Sequence, residues 1–473
     1  MRRTLAALAC LAVLTAPLAA TAQDPTYDAA GWRADLAQVR EAFATRYANL
    51  EWAQTVREAD LGAAFDRTEK RLATVRTDAE ARALFDGLAR HLADGHVRFS
   101  WPSAMAPAGA GAGAAPTAPS PCDEVAGRKV TIGDTALAGL PGYVSLKTPA
   151  SAVFPAGVLE IDGRKVGVIR IAEFTGSLAP QYCEEALAAG TREGLYDVVH
   201  VRLTNDFADQ LRALKAAGAE VLVVDITGNG GGSDWAEALM RMVTAKRLTS
   251  TRVDFLRGEH WTANFDRDLI RLEAQLKTAK GADRALLAEI VAQVKARRAE
   301  AAKPCDGSPW LKHEAPSCEI LSRGFYSSGF LPSADPKTLA GRDWAGLVFS
   351  PMWYPYEEGV WSGPLVVAVD GRTGSAAEQF TAVLQDNQAA VVVGDPTAGA
   401  GCGYTWGGAP VTLTHSKGVL RLPDCVRIRR NGENEVIGIS PDVVVGYHAG
   451  EGPKAKARRL ATVLPAALAR AGR

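Results

Sequence analysis

A serine hydroxyl attacks a carbonyl at neutral pH only if a base takes its proton and backbone donors receive the oxyanion. Ser375 is placed for that work, in the run Asp370-Gly-Arg-Thr-Gly-Ser375-Ala-Ala-Glu-Gln-Phe380. Before it stands Pro364-Leu-Val-Val-Ala-Val369, short, apolar and β-branched, which reads as a buried strand. After it, residues 376–388 are rich in helix formers, with Phe380, Val383 and Leu384 at helical spacing. The serine therefore falls where a strand gives way to a helix, among free N–H groups and at the positive end of the helix dipole. A plain N-cap is the competing role, since serine starts very many helices.

Two side chains could deprotonate Ser375. A neutral lysine would have to stand nearby, yet the first lysine after the serine is Lys417, and residues 395–402 contain none. Among seven histidines, His96 has the most telling setting, in Leu92-Ala-Asp-Gly-His-Val-Arg98 just past a helical run. A surface histidine favoured by the helix C-terminus is the simpler account of that position. His415, in an expected hairpin turn, and His448, near the tail, carry no comparable signal. A third element is a strand, Glu220-Val-Leu-Val-Val-Asp225, running into Ile226-Thr-Gly-Asn-Gly-Gly-Gly232. Its glycines allow close backbone approach and positive φ.

The elements that must position these groups follow from periodicity. Trp32, Leu36, Val39 and Phe43, then Leu84, Phe85, Leu88 and Leu92, keep helical spacing, and Gly95 offers a stop. Residues 104–121 are almost entirely Ala, Gly and Pro and read as a linker. A strand is expected over 167–171 and a helix over 205–217, with Ser233 and Asp234 capping a helix over 235–243. Strand, glycine turn and helix recur around Ser375 and, more weakly, over 389–393, which indicates an α/β sheet covered by helices. A charged helical pair broken near Gly281 sits in the long segment between the glycine run and Ser375, as a cover or a lid. Leu460, Val463, Leu464 and Leu468 mark a C-terminal helix.

Asp94-Gly95-His96, Asp225-Ile-Thr-Gly-Asn-Gly-Gly-Gly232, Thr373-Gly-Ser-Ala-Ala-Glu378 and the tail Glu435-Val-Ile-Gly438-Ile-Ser-Pro441-Asp442 stand in the order of the S41 serine peptidases. The chain resembles that family over most of its length. Ala400 stands where the lysine-dependent processing peptidases would have lysine, so the resemblance is to the histidine-using, tricorn-like branch. It implies a ClpP/crotonase-like β/α core, an N-terminal helical region carrying the histidine motif, and a helical insertion near 260–305. Ser375 resembles the nucleophile, His96 the general base and Glu435 the acid supporting the site, with Glu433 two residues away as the rival. Backbone N–H groups of Ala376 and of Gly231, or alternatively Gly230, would form the oxyanion hole. The substrate implied is a peptide or protein, with no cofactor. A carrier of an apolar ligand on the same fold, like the retinoid-binding relatives, is the alternative. Thr227 stands where the family often has arginine, and residues 122–161 are too short for a complete PDZ domain. An α/β-hydrolase elbow is absent, since G-x-S-x-G does not occur around Ser375, and S-x-x-K is missing as well.

Composition narrows the rest. Met1-Arg2-Arg3, an apolar run over 5–18 and Ala20-Thr21-Ala22 read as a signal peptide over 1–22. The expectation is a periplasmic or secreted protein of four parts: helices over 23–100, the linker over 101–121, a core over 122–452 and a helix over 453–473. No later run approaches about 20 uninterrupted apolar residues. Setting Arg2 and Arg3 aside leaves 51 basic against 53 acidic side chains, so nothing points to nucleic acid or an anionic membrane. Beyond Cys10 the cysteines are 122, 183, 305, 318, 402 and 425. The pairing favoured is sequential, Cys122–Cys183, Cys305–Cys318 and Cys402–Cys425, because the last two close short loops beside turn residues. Neither C-x-x-C nor H-E-x-x-H is present, which argues against zinc.

Overall fold

The computed structural model describes residues 27–102, 120–126 and 130–472. The segment expected to be a signal peptide, residues 1–22, most of the Ala/Gly/Pro-rich linker and Arg473 lie outside the described residues. The fold is α/β with an N-terminal helical region.

Seven strands make the central sheet, in the order Val443–Val444, Val391–Gly394, Leu365–Val369, Val221–Asp225, Arg164–Arg170, Ala156–Ile161, Val144–Ser145. The first five run parallel, and the last two join antiparallel. A parallel sheet is covered on both faces, so its strands read as continuous apolar runs. Alternation divides each run between two cores. Leu222 and Val224, with Leu365, Val367 and Val369, pack against Phe207, Leu211 and Phe380 of the helices Leu195–Ala216 and Ala376–Asp386. Val221, Val223, Val366 and Ala368 face Leu460, Leu464 and Leu468 of the C-terminal helix Pro453–Ala471. Each buried Val or Leu contributes about 1.5–3 kcal/mol to this sandwich. Residues 144–145 and 156–161 are strands of this sheet.

The helix expected over 205–217 begins ten residues earlier, at Leu195, because Val199 and Leu203 continue the buried stripe and left-handed Gly194 starts the turn. The helix expected over 376–388 ends at Asp386.

Two smaller sheets carry the flanking parts. Arg98–Ser100 pairs antiparallel with Val419–Arg421. This joins the helices Ala29–Arg46, Leu50–Thr55, Leu61–Leu72 and Asp78–Leu92 to the segment that follows Ser375. Trp32, Phe43 and Phe85 share one core with Leu413, Leu420 and Leu422. Asn434 Nδ2 donates to Asn49 Oδ1 at 2.8 Å across the same junction. The helical pair Glu259–Thr278 and Gly281–Ala301 packs on a sheet of Arg252–Leu256, Leu321–Tyr326 and Cys425–Ile428. The disulfides are Cys122–Cys183, Cys305–Cys318 and Cys402–Cys425. The last ties the loop after Val391–Gly394 to the strand Cys425–Ile428.

Candidate active site

Neighbouring parallel strands release their loops at the same edge, and ligands of α/β sheets gather there. Val221–Asp225 and Leu365–Val369 are such neighbours. Gly228 N–H donates to Asp370 Oδ1 at 2.7 Å, Gly374 N–H to the Asn229 carbonyl at 2.9 Å, and Thr373 Oγ1 to the Ile226 carbonyl at 3.1 Å. The glycine run and the serine turn are one stitched unit.

Ser375 follows that turn at φ 55° and ψ −120°, a conformation that costs a residue with a Cβ on the order of 1–3 kcal/mol. It forms a capping box with Glu378: the Ser375 N–H donates to Glu378 Oε2 at 2.9 Å, and the Glu378 N–H also reaches the Ser375 carbonyl at 3.0 Å. The Ser375 Oγ is at the same time within hydrogen-bonding distance of His96, whose Nε2 lies 3.1 Å away.

His96 reaches Ser375 from the N-terminal region. Ala93, not Gly95, closes the preceding helix in the left-handed conformation. Gly95 serves close approach, since a Cβ there would lie 3.2 Å from the Ala400 Cβ. Asp94 holds the turn by accepting from His96 N–H, Asn49 Nδ2 and Tyr47 OH at 2.9, 3.0 and 3.1 Å. Burial raises its carboxyl to about 6, against those same hydrogen bonds. His96 Nδ1 lies 2.8 Å from the Ala400 carbonyl. A carbonyl only accepts, so Nδ1 carries the proton and Nε2 is left bare to accept from the Ser375 hydroxyl. Burial lowers this imidazole to about 4; the guanidiniums of Arg427 and Arg98 act the same way and the Ala400 hydrogen bond opposes them.

Glu435 is fully buried and does not touch His96. It accepts from Arg427 Nε at 2.7 Å, while Arg427 Nη2 donates to the carbonyls of Ser375 and Gly401 at 2.8 Å each. The acid thus stands behind the serine and not behind the imidazole. Glu433 lies on the surface, bonded to Asn431. Gly231 packs closely on Ser375: at φ 105°, a Cβ there would be 2.7 Å from the Ser375 Cβ. Its N–H donates to Asn229 Oδ1 at 2.9 Å. Gly230 borders, with Gly231, Gly232, Glu173, Thr175 and Ser177, a cavity of about 240 Å³ beside the serine.

Three residues of this site escaped sequence reasoning. Arg427 gives no motif signal, being one arginine in a basic stretch. Asn229, buried, joins the two loops and donates to the Ile171 carbonyl at 3.1 Å. Glu378, also fully buried, accepts from the N–H groups of Ser375, Gly399, Ala400 and Gly401 at 2.9, 2.7, 2.9 and 3.1 Å, and from Thr397 Oγ1 at 2.6 Å. The S-x-x-E spacing of a capping box was the signal for it. Thr227, where arginine was the expected type, bonds to Asp225 Oδ1 through both N–H and Oγ1 at 2.9 and 2.7 Å. A guanidinium still serves Asp225, that of Arg170 on the adjacent strand.

Comparison with known proteins agrees with this picture. The profile of peptidase family S41 matches residues 165–445, and the chain belongs to that family. The structure of mature CPAF superposes with a TM-score of 0.57 over 92% of this chain and 96% of that one, at 15% identity. Mature CPAF complexed with lactacystin gives 0.55 over 93% and 98%, also at 15% identity. A Chlamydia pneumoniae protein, CPj1016/CpB1054, is 31% identical over 96 residues, 20% of this chain. That match spans 15% of the relative's length. Family and fold together support a serine peptidase function. No helix among the described residues is long and apolar enough to cross a membrane.

Proposed function

We propose that the protein is an exported serine peptidase working through Ser375 and His96. The observation that carries this reading is the 3.1 Å approach of a bare imidazole nitrogen to a hydroxyl on a strained strand-to-helix turn. Ser375 Oγ attacks the peptide carbonyl while Nε2 takes the hydroxyl proton. The carbonyl π electrons move to oxygen, and the oxyanion is received by the N–H groups of Ala376 and Gly230, since that of Gly231 is already given to Asn229 Oδ1. Collapse breaks the C–N bond, with the proton passing from His96 to the leaving amine. Water, deprotonated by the same imidazole, then hydrolyses the acyl-enzyme. Glu435 acts through Arg427, which holds the Ser375 and Gly401 carbonyls. Glu378 acts through the 397–401 loop, which presents the Ala400 oxygen to the imidazole.

The leader-like N-terminus together with three disulfides supports export to an oxidising compartment. The cavity beside the glycine run, bordered by Glu173, Thr175 and Ser177, is open to a peptide substrate. Cleavage of a peptide library by the mature chain and by Ser375→Ala is the test. Loss of all cleavage in the variant is expected, and equal cleavage by both removes Ser375 from the mechanism.

A further inference from the structure

The loop that leaves the imidazole is lined with arginines lacking an acidic partner. Gly403 lies against His96, since a Cβ there would be 2.8 Å from Nε2. The next residue, Tyr404, sets its ring edge-on to the imidazole at 5.4 Å. Arg98 and Arg421 lie over that Tyr404 ring, 5.5 and 5.6 Å from its centre. Further out, Trp406 is 65% exposed, with the Arg267 guanidinium 5.0 Å from its ring centre.

Arg98 and Arg421 are directly opposed across an antiparallel pair of strands. Like charges so placed destabilise a sheet unless something neutralises them. Nothing does: among the described residues none of Arg98, Arg267 and Arg421 has a carboxylate within ion-pairing distance. Arg421 donates to the Gly407 carbonyl and Arg267 to Asn264 Oδ1, both neutral acceptors. The acids nearby are committed elsewhere. Asp424 is paired with His260 and accepts from Thr405 N–H, and Asp94 is buried against Tyr47, Asn49 and the His96 backbone. Asp268, near Arg267 and Arg271, forms an ion pair with neither.

We propose that Arg98, Arg421 and Arg267, mounted on Tyr404 and Trp406, form a subsite for an acidic side chain of the substrate downstream of the scissile bond. The inference rests on the peptidase reading. His96 protonates the leaving amine, so the downstream part of the peptide departs on the imidazole's side of Ser375, where this loop begins. The upstream part lies on the glycine side. Guanidiniums stacked on aromatic rings are preorganised and weakly hydrated, which favours bidentate capture of a carboxylate.

The experiment compares fluorogenic peptides that differ only in Glu, Gln or Lys at the downstream positions, cleaved by the full mature chain and by Arg267→Glu. Preference of the native protein for Glu over Gln by about tenfold in kcat/KM is expected, carried by KM and weakened by salt. Arg267→Glu, an exposed helix substitution, shifts that preference toward Lys while the melting temperature stays that of the native protein. Arg98→Gln weakens the preference without inverting it. Cleavage that ignores downstream charge, or an unchanged preference in Arg267→Glu, overturns the subsite and leaves the peptidase reading standing. Tighter anisotropy-measured binding of the Glu peptide with no cleavage of any peptide does the reverse. Binding to phosphatidylglycerol vesicles that Arg267→Glu abolishes, without peptide discrimination, assigns the patch to a lipid surface and overturns the proposal.

Discussion

The imidazole of His96 is held by a peptide carbonyl: Nδ1 donates to the Ala400 oxygen at 2.8 Å, in the place where a triad usually has its acid. A carbonyl fixes the tautomer as well as a carboxylate does, but stabilises an imidazolium less. The charge-bearing part of the device lies one step further back, in Glu378, whose oxygens gather the N–H groups of Gly399, Ala400 and Gly401.

The first consequence concerns Glu378. Glu378→Gln replaces one accepting oxygen by an NH₂ facing N–H donors, so the loop that presents Ala400 shifts. Loss of one charge-assisted hydrogen bond, about 2 kcal/mol, corresponds to a fall of roughly 30-fold in kcat. KM for a short peptide should move little. Steady-state kinetics beside a melting curve separates this from simple unfolding.

The pH dependence follows from the lowered imidazole. His96 must be neutral to act, and its folded value is about 4 against an ordinary value of 6.5. Activity limited by His96 therefore persists below pH 6 and is lost as pH falls through about 4. For stability the sign is separate: between pH 6.5 and 4 the unfolded chain binds the histidine proton and the folded one does not, so this group erodes stability as pH falls. Asp94, raised to about 6, works oppositely, giving stability below its unfolded value that is lost as pH rises through about 6. A kcat/KM profile from pH 3.5 to 8 checks the catalytic limb, and denaturant midpoints check the two stability trends.

Glu435→Gln leaves the buried Arg427 guanidinium without its countercharge. A loss of about 3–5 kcal/mol in stability is expected, read as a lowered melting temperature. With its countercharge gone, Arg427 lowers the imidazole further, so the acid limb of the activity profile should move to lower pH and not to higher. A limb that rises would contradict this placement of Glu435.

Gly231→Ala forces a Cβ to within 2.7 Å of the Ser375 Cβ at φ 105°. The glycine run should yield before the sheet does, moving the backbone beside the oxyanion. A loss of about 10²-fold or more in kcat, with an unchanged far-ultraviolet spectrum, is the expected outcome.

Much of this was legible in the sequence, for identifiable reasons. Strands buried on both faces announce themselves as unbroken apolar runs, so Val221–Asp225 and Leu365–Val369 could be read directly. Trp32, Leu36, Val39 and Phe43 keep a helical period because one face is buried. The juxtaposition of His96 with Ser375, 279 residues apart, came from motif order and not from local pattern. What stayed hidden is long-range polar bonding. Arg427 and Asn229 act through hydrogen bonds to backbone atoms distant in sequence, and no periodicity records those. Ala93 took the helix end from Gly95 because the tight packing of Gly95 on Ala400 is a tertiary demand.

The pairing of His96 with Ser375 can be measured by the rate at which a fluorophosphonate labels Ser375 in the native protein and in His96→Ala, followed by mass spectrometry of the modified peptide. Labelling confined to Ser375, slowed by about 10³-fold or more in the variant, is predicted. Equal rates, or a label on another residue, would contradict it.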